Sequence, residues 1–138
     1  MRRRALLAAA PSLLLALFAP LLLAEDEKAK APAIRVEPEG FDFGKALPWK
    51  TLSKEFVVRN FGDAELVIEN VTTTCGCAAA IAAKTRLEPG GSTPMRVTFE
   101  TRSYVGRVQR EVLIRSNDPK QPTLVVKLSA TVEKAPKS

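Results

Sequence analysis

Apolar side chains recur at every second position through much of the chain. Between residues 123 and 132, Leu124, Val126 and Leu128 are separated by single residues and share one face of an extended backbone. Residues 93–101 repeat the pattern. A period of two is that of a β-strand with one buried face, whereas the apolar face of a helix repeats every 3.6 residues. The pattern therefore predicts an all-β domain.

Seven segments carry this period or a β-branched and aromatic composition. Seven short strands within roughly a hundred residues predict a β-sandwich. Only residues 77–84 have the alanine-rich composition of a helix, and they are too few to change the fold class. The predicted strands cover residues 34–37, 52–60, 66–72, 85–87, 93–101, 107–116 and 123–132.

Turn-forming residues separate the predicted strands. Gly62, in the Asn-Phe-Gly-Asp sequence of residues 60–63, is expected to take a positive φ, and Pro89 followed by Gly90 has the order of a type II turn. The Ser-Asn-Asp-Pro sequence of residues 116–119 is expected to end the sixth strand, because proline cannot continue a hydrogen-bonded ladder.

The amino terminus has the pattern of an export signal. Arginines at 2–4 precede an uncharged, leucine-rich run over residues 5–24, and acidic residues follow from Glu25. The run is also long enough to cross roughly 30 Å of hydrocarbon, so an uncleaved membrane anchor is the alternative. Pro20 near its end favours a cleaved signal peptide over residues 1–24.

Charged residues mixed with Ala and Pro, without an apolar period, flank the strands on both sides. We interpret residues 25–33 as a solvated linker and residues 133–138 as a disordered tail. The folded domain is therefore expected over residues 34–132.

Charge and composition exclude several functions. The formal net charge is +6, but three of the positive charges are the arginines of the export signal, so the balance does not predict a nucleic-acid partner. The chain contains no histidine. It therefore lacks the imidazole that Ser-His-Asp and Cys-His catalytic groups and His-ligated metal sites require. Ser92 and Asp118 have no matching base, and we expect a protein that is not an enzyme.

Several short motifs occur in a fixed order, and together they resemble a bacterial family of exported immunoglobulin-like domains of unknown function. More distantly the chain is similar to the choice-of-anchor D modules and to the Hydin and major sperm protein group. The resemblance implies a seven-stranded antiparallel immunoglobulin-like sandwich with a binding or assembly role and without known enzymatic activity. The motifs are Phe-Asp-Phe-Gly (41–44), Asn-Phe-Gly-Asp (60–63), Cys-Gly-Cys (75–77), Leu-Glu-Pro-Gly (87–90), Gly106 and Ser-Asn-Asp-Pro (116–119).

The Cys-Gly-Cys sequence is the chemical feature of the chain. Residues two apart in an extended strand have Cα atoms about 6.6 Å apart, near the upper limit of roughly 6.8 Å for a disulfide. A bond between Cys75 and Cys77 therefore needs a contracted turn, for which Gly76 supplies freedom. Such a small ring adds little stability and is more reducible than an ordinary structural disulfide.

Three interpretations of this pair stay open. Cys75 and Cys77 are a local structural disulfide or small residues that shape a turn, a redox pair for a partner in the cell envelope, or a Cu(I) site. No basic residue within the motif lowers a thiol pKa, which counts against the redox pair. Met95 is a possible third copper ligand, but it lies in a core-facing series, and zinc would need two further ligands. Enclosure of the thiols by apolar side chains would exclude both chemical roles.

Aromatic residues offer a second candidate site. Trp49, in the loop after Pro48, is the candidate for surface contact with a partner or a polysaccharide. Phe41 and Phe43 have the spacing of a strand and are expected in the core instead. Tyr104 is the single tyrosine, too few aromatic residues for a nucleic-acid surface.

Charged residues on strands and in turns have plainer interpretations. Arginines in predicted strands are expected on the solvent-exposed side of a sheet, where they oppose edge pairing, and carboxylates in turns are expected to accept main-chain hydrogen bonds. The arginines are Arg96, Arg107, Arg110 and Arg115, and the carboxylates are those of Asp42, Asp63 and Asp118.

These features predict an exported, non-enzymatic immunoglobulin-like domain that contacts another protein of the cell envelope through sheet edges or loops. The alternative is a thiol-redox or Cu(I)-handling protein that uses Cys75 and Cys77.

The export signal generates the first testable prediction. We expect protein collected from its native compartment to begin at Glu25, because signal cleavage removes residues 1–24. Intact-mass measurement checks this. A mass that retains residues 1–24 would identify the segment as a membrane anchor.

Overall fold

A computed structural model describes residues 30–137, and the predicted export signal lies outside them. The described residues form nine β-strands in two sheets, which confirms the all-β sandwich and corrects the predicted number of seven. The strands are β1 (Ile34–Glu37), β2 (Gly40–Ala46), β3 (Thr51–Asn60), β4 (Leu66–Thr73), β5 (Ala78–Ala82), β6 (Arg86–Leu87), β7 (Ser92–Glu100), β8 (Gly106–Ser116) and β9 (Thr123–Val132).

The two sheets contain four and five strands. The four-stranded sheet has the order β1-β3-β7-β5 and the five-stranded sheet the order β2-β9-β8-β4-β6. Neighbouring strands are antiparallel with one exception, because β2 runs parallel to β9. The prediction of an entirely antiparallel sandwich is therefore wrong at this one edge.

The core lies between the sheets and is built from the alternating apolar positions. Phe56 and Met95 are paired residues of β3 and β7, and Val112 and Val126 are paired residues of β8 and β9. All four are fully buried. Burial of one such side chain contributes about 1.5–3 kcal/mol to the free energy of folding, so these facing pairs hold the sheets together. A smaller apolar cluster around Phe99 continues the core to one end of the sandwich.

Strand β5 replaces the short helix that alanine content favours at residues 77–84. Ala78–Ala82 pairs with Met95–Phe99 of β7, and the side chains of Ala80 and Ala82 pack on the core. A helix of so few residues is marginal alone, whereas pairing with β7 gives hydrogen-bond partners to the main-chain groups on the side of the segment that faces β7. Tertiary pairing therefore overrides helix propensity here.

Strand β2 is the second strand absent from the sequence prediction. Its pairing with β9 shifts register between Asp42 and Lys45, so the period-two spacing of Phe41 and Phe43 does not continue through the strand. Phe41 and Phe43 are half-buried and pack on the core, with ring centroids 5.0 Å apart. Their expected role in the core is confirmed.

Glycine is needed at two turn positions for different physical reasons. Gly90 takes a φ of 80°, and the N–H of Gly91 donates to the carbonyl of Glu88, which confirms the predicted turn. Gly62 does not take the predicted positive φ. A Cβ at Gly62 would lie 2.2 Å from the carbonyl oxygen of Ala31, so glycine is required there by close approach of the chain.

Asn60 closes the end of the sandwich at which β3 finishes. Its side-chain oxygen accepts from the N–H of Gly62, and its side-chain nitrogen donates to the carbonyls of Ala64 and Leu87. Asn60 is 1% exposed, so these bonds replace hydration that burial removes. The side chain thereby joins the turn after β3 to the end of β6.

Asp118 of the Ser-Asn-Asp-Pro sequence has the expected structural role. Its buried carboxylate accepts from the main-chain N–H groups of Ile34, Lys120 and Gln121. The turn after β8 is therefore bonded to β1 of the other sheet.

Contacts with the domain begin before residue 34. The carbonyls of Ala31 and Ala33 accept from the N–H groups of Asp63 and Phe61, and Pro32 is buried. The end of the predicted linker is thus bonded to the turn after β3. Among residues 30–137, no helix has the length and apolar character needed to cross a membrane.

Removal of the Asn60 side chain tests how this end is held. We expect Asn60→Ala to lower the free energy of unfolding by about 1–3 kcal/mol, because buried main-chain groups lose their partners. Denaturant unfolding measures the change, and Asn70→Ala, at an exposed position of β4, is the control. Equal stability of the two variants would contradict the role given to Asn60.

Candidate functional site

Three loops meet at the end of the sandwich opposite Asn60, and we call residues 47–50, 74–77 and 101–105 the loop end. The N–H of Trp49 donates to the carbonyl of Arg102 at 2.8 Å, and the guanidinium of Arg102 donates to the carbonyl of Gly76 at 3.0 Å. These bonds bring together the two candidate features of the sequence, Trp49 and the Cys-Gly-Cys motif.

Thr101 fixes the turn that carries Trp49. Its fully buried hydroxyl donates to the carbonyl of Leu47 at 2.8 Å and accepts from the N–H of Lys50 at 2.9 Å. The hydroxyl thereby bridges the two ends of the turn. The N–H of Thr101 also donates to the carbonyl of Lys50. No pattern around Thr101 in the sequence pointed to this role, because it depends on contacts between distant loops.

Trp49 is held in an exposed and strained position. Its side chain is 75% exposed, and its φ is 59°, a left-handed conformation that glycine adopts far more easily. Pro48 precedes it, so the order is that of a type II turn with tryptophan in the place preferred for glycine. The structure thus confirms exposure of Trp49 and adds a conformational cost to keeping a large side chain there.

Cys75 and Cys77 form a disulfide between β4 and β5. Their Cα atoms are 5.3 Å apart, so the turn is contracted as the sequence geometry requires. Gly76 reaches this contraction without a positive φ, and a Cβ there would meet no atom within 4 Å. The hydroxyl of Thr73 donates towards the carbonyls of Cys75 and Ala78, both at 2.8 Å, and holds the chain on either side of the ring.

Arg110 lies against the disulfide, and its position corrects two expectations. Its Nε is 3.2 Å from Sγ of Cys75 and 3.3 Å from Sγ of Cys77. Arg110 therefore does not lie on the solvent-exposed side of the sheet, and the motif does have a basic neighbour. The sequence contains a signal that the prediction missed. Arg110 lies two residues from both Val108 and Val112, so on β8 its side chain falls in their inward-facing series.

The two sulfurs differ in their surroundings. Cys77 is 3% exposed and packs in the smaller apolar cluster with Phe99, whereas Cys75 is half-buried. Cys75 also packs against this cluster, so apolar enclosure is nearly complete for Cys77 and partial for Cys75, and a guanidinium contacts both. The test by solvent exposure consequently leaves redox chemistry open.

Copper binding is a separate hypothesis. Cu(I) would need both cysteines as thiolates, so it concerns only the reduced protein. Met95 is fully buried in the larger core cluster, whereas Cys77 packs with Phe99 in the smaller one. Met95 lies four residues along β7 from Phe99, roughly 13 Å away, so its position fits core packing and not copper ligation. Within residues 30–137 no three His, Cys, Asp or Glu side chains are grouped to hold a metal ion.

The remaining arginines of the sequence prediction lie on solvent-exposed sides of the sheets, as expected. Arg96 is exposed on the four-stranded sheet, and Arg107 and Arg115 are exposed on β8 of the other sheet. Asp42 lies within β2 rather than in a turn. The N–H of Gly44 at 2.8 Å and the guanidinium of Arg107 at 3.1 Å hold the pKa of the Asp42 carboxyl below its ordinary value.

Two clefts mark the described surface. The larger, of about 740 Å³, is lined by parts of β1 and β9 and contains neither Trp49 nor the cysteines. The smaller, of about 280 Å³, lies at the loop end. It is lined by Trp49, Lys50, Thr51, Glu100 and Arg102.

Family comparison covers the whole folded domain. The family described as protein of unknown function (DUF1573) matches residues 34–132. The resemblance to a domain family of unknown function is thereby confirmed. No curated protein matches the chain.

Solved structures share the fold. A protein of unknown function from Porphyromonas gingivalis W83 has a TM-score of 0.65 at 24% identity, over 75% of this chain and 48% of that one. The chain thus spans about half the length of that protein. The ASH / PapD-like domain of human CEP192 has a TM-score of 0.58 at 16% identity, over 77% and 89% of the two chains.

A nematode protein extends the comparison to the major sperm protein group. SSP-19, an MSP-domain protein-like family member of Caenorhabditis elegans, has a TM-score of 0.54 at 13% identity, over 70% of this chain and 97% of that one. Such identities show the fold alone. They confirm the immunoglobulin-like sandwich and the distant likeness to the major sperm protein group.

Removal of the Thr101 hydroxyl tests how the Trp49 turn is held. We expect Thr101→Val to lower the free energy of unfolding by about 1–3 kcal/mol and to speed amide exchange at Lys50, because the turn loses its buried bridge. Denaturant unfolding and hydrogen exchange measure these effects. The control is Thr98→Val, on the outward face of β7, the strand that precedes Thr101. Unchanged protection of Lys50 would show that the turn does not depend on Thr101.

Proposed function

The chain belongs to the DUF1573 family of proteins of unknown function, and we propose that it is an exported, non-enzymatic domain that binds another protein of the cell envelope through its loop end. One observation carries this proposal: a large aromatic side chain, that of Trp49, is held in solvent by a buried hydrogen-bond network.

The exposed position of Trp49 is unfavourable in the isolated domain, because no contact within the described fold, residues 30–137, compensates it. The side chain leaves most of its apolar surface in water, and its main chain adopts a conformation that costs about 1–3 kcal/mol outside glycine. Tryptophan is among the residues enriched at the centres of protein interfaces, where its large surface becomes buried. Contact with a partner would recover the apolar part of this cost.

The loop end is also preorganised for contact. Thr101 and the main chain of Arg102 fix the Trp49 turn before any partner arrives, which reduces the entropy lost on binding. Two further exposed apolar residues, Leu47 and Val105, belong to the same loops. The cleft beside Trp49 is lined by charged side chains, including that of Lys50, as in the polar rim of an interface.

The partner class follows from the shape of the surface. The cleft beside Trp49 has about 280 Å³, at the lower bound for small-molecule pockets. Projecting apolar loops around a shallow cleft fit a protein surface better than a small ligand. The export signal at residues 1–24 supports placement of this partner in the cell envelope.

Absence of enzymatic activity is part of the same proposal. The sequence has no histidine to act as a base. Asp118, one of the polar candidates, already uses its carboxylate for three main-chain hydrogen bonds that hold the fold.

A glycine at position 49 separates the contact from folding. We expect Trp49→Gly to keep or raise the thermal stability, because glycine adopts the positive φ without strain, while contact with the partner is lost. A benzophenone amino acid at exposed Lys50 reports the contact by photo-crosslinking in cells. We expect a discrete protein adduct from position 50 that disappears in the Trp49→Gly background.

The matched control lies at the other end of β3. Phe61 is also an exposed aromatic residue, 54% exposed, and the same probe at neighbouring Asp63 should give no adduct. An adduct from position 50 that survives Trp49→Gly, or the lack of any adduct from position 50, would overturn the proposal.

A further inference from the structure

Arg110 occupies a position where a charged side chain is costly. It lies in the inward-facing series of β8, and within residues 30–137 no carboxylate forms an ion pair with it. Its nearest side-chain acceptors are the sulfurs of Cys75 and Cys77, at 3.2 and 3.3 Å from Nε. A neutral disulfide is a weak hydrogen-bond acceptor and does not compensate a partly desolvated cation.

The guanidinium is aimed at the sulfurs by two further contacts. Its Cζ lies 5.1 Å from the ring centroid of Tyr104, a cation–π distance, and one terminal nitrogen donates to the carbonyl of Gln109 at 2.7 Å. These contacts hold the planar group in one orientation. The hydrogen bond donated by Nε–H is therefore shared between the two sulfurs in the folded protein.

We propose that the Cys75–Cys77 disulfide is a thiol-exchange site, at which Arg110 stabilises the thiolate that a reducing thiol releases. A cation beside a cysteine favours the thiolate, and a stabilised thiolate is a better leaving group in exchange. The charge of Arg110, which lacks a carboxylate in the oxidised protein, gains an anionic partner on reduction. This activity is distinct from protein contact and does not involve Trp49.

The difference in exposure assigns the order of bond changes. An external thiolate attacks Sγ of half-buried Cys75, a new S–S bond forms there, and the Cys75–Cys77 bond breaks. Its electron pair remains on Sγ of Cys77 as a thiolate beside Arg110. The thiolate of a second external thiol then attacks the external sulfur of the mixed disulfide. An external disulfide forms, the bond to Cys75 breaks, and its electron pair remains on Sγ of Cys75 as a thiolate.

The second thiolate also has donors in place. Sγ of Cys75 lies 3.2 Å from Nε of Arg110 and 3.3 Å from the main-chain N of Cys77. Two external thiols are oxidised overall, and the two cysteines are reduced.

Gly76 leaves the disulfide ring uncovered. It is exposed, and neither its backbone conformation nor its packing requires glycine, so the missing side chain gives an external thiol access to the ring.

Glutathione is the probe for a direct test. Oxidised full chain is mixed with glutathione at neutral pH, quenched with acid at intervals, labelled with a maleimide and followed by intact mass. We expect a glutathione adduct that converts to the dithiol. Arg110→Met should slow the exchange at least about tenfold, since it removes a charge-assisted hydrogen bond.

Matched variants separate a chemical role of Arg110 from packing. Arg110→Lys restores the charge and should recover part of the rate. Arg107→Met, on the same strand and beside Asp42, should react like the wild type. An Arg110→Met chain that exchanges as fast as the wild type, or a wild-type disulfide that both glutathione and a cysteine-containing peptide leave intact, would overturn the proposal.

The wild-type protein provides a test that does not depend on a variant folding. Fragmentation of the trapped adduct should place glutathione on Cys75, and an adduct on Cys77 would contradict the assigned order. A cysteine-containing peptide serves as a parallel thiol. Reaction with either thiol supports the site, and the faster one shows whether its reductant is a small or a protein thiol.

Discussion

The facing apolar surfaces of the two sheets decide where every other side chain lies. Because Phe56 and Met95 of one sheet must cover Val112 and Val126 of the other, the direction of each strand position is set by its parity relative to these residues. Polar residues that fall in the inward series can then be satisfied only where the apolar core ends. The function of this domain is consequently concentrated at the ends of the sandwich.

The two ends are closed in different ways. At one end, the polar atoms of Asn60 and Asp118 form hydrogen bonds with main-chain groups of several segments. These bonds join the two sheets and leave few polar atoms free for other chemistry. At the loop end, Thr101 is buried in the same manner, but it supports an exposed Trp49. Nε of Arg110 faces sulfurs instead of a carboxylate. The first arrangement serves stability. The second retains exposed apolar surface and a cation without a carboxylate partner, both of which a purely structural end would avoid.

Sequence patterns predicted what depends on neighbours along the chain. The alternation around Val126 and the turn at Gly90 are local, and both were predicted. Strand β5 was not, because alanine favours a helix and only pairing with the edge of β7 makes the segment extended. Gly62 was predicted with the wrong reason, since the close approach of Ala31 comes from chain outside the turn. The predicted placement of Arg110 was the error with the largest consequence for the site. Its inward parity was readable beside Val108, but a charge in a strand is usually at the surface, and the disulfide that justifies it is far away in sequence.

Protein contact and thiol exchange share the loop end without depending on each other. The Trp49 turn is fixed by Thr101 and by main-chain bonds to residues 50 and 102, none of which involves a sulfur. The sulfurs are held by Arg110 and by the chain around Thr73. Arg102 contacts both parts, through its carbonyl and its guanidinium. Since the carbonyl bond belongs to the main chain and the guanidinium bond to an exposed side chain, breaking the second leaves the first in place. Loss of the disulfide should therefore leave Trp49 presented, and each function can fail its own test while the other stands.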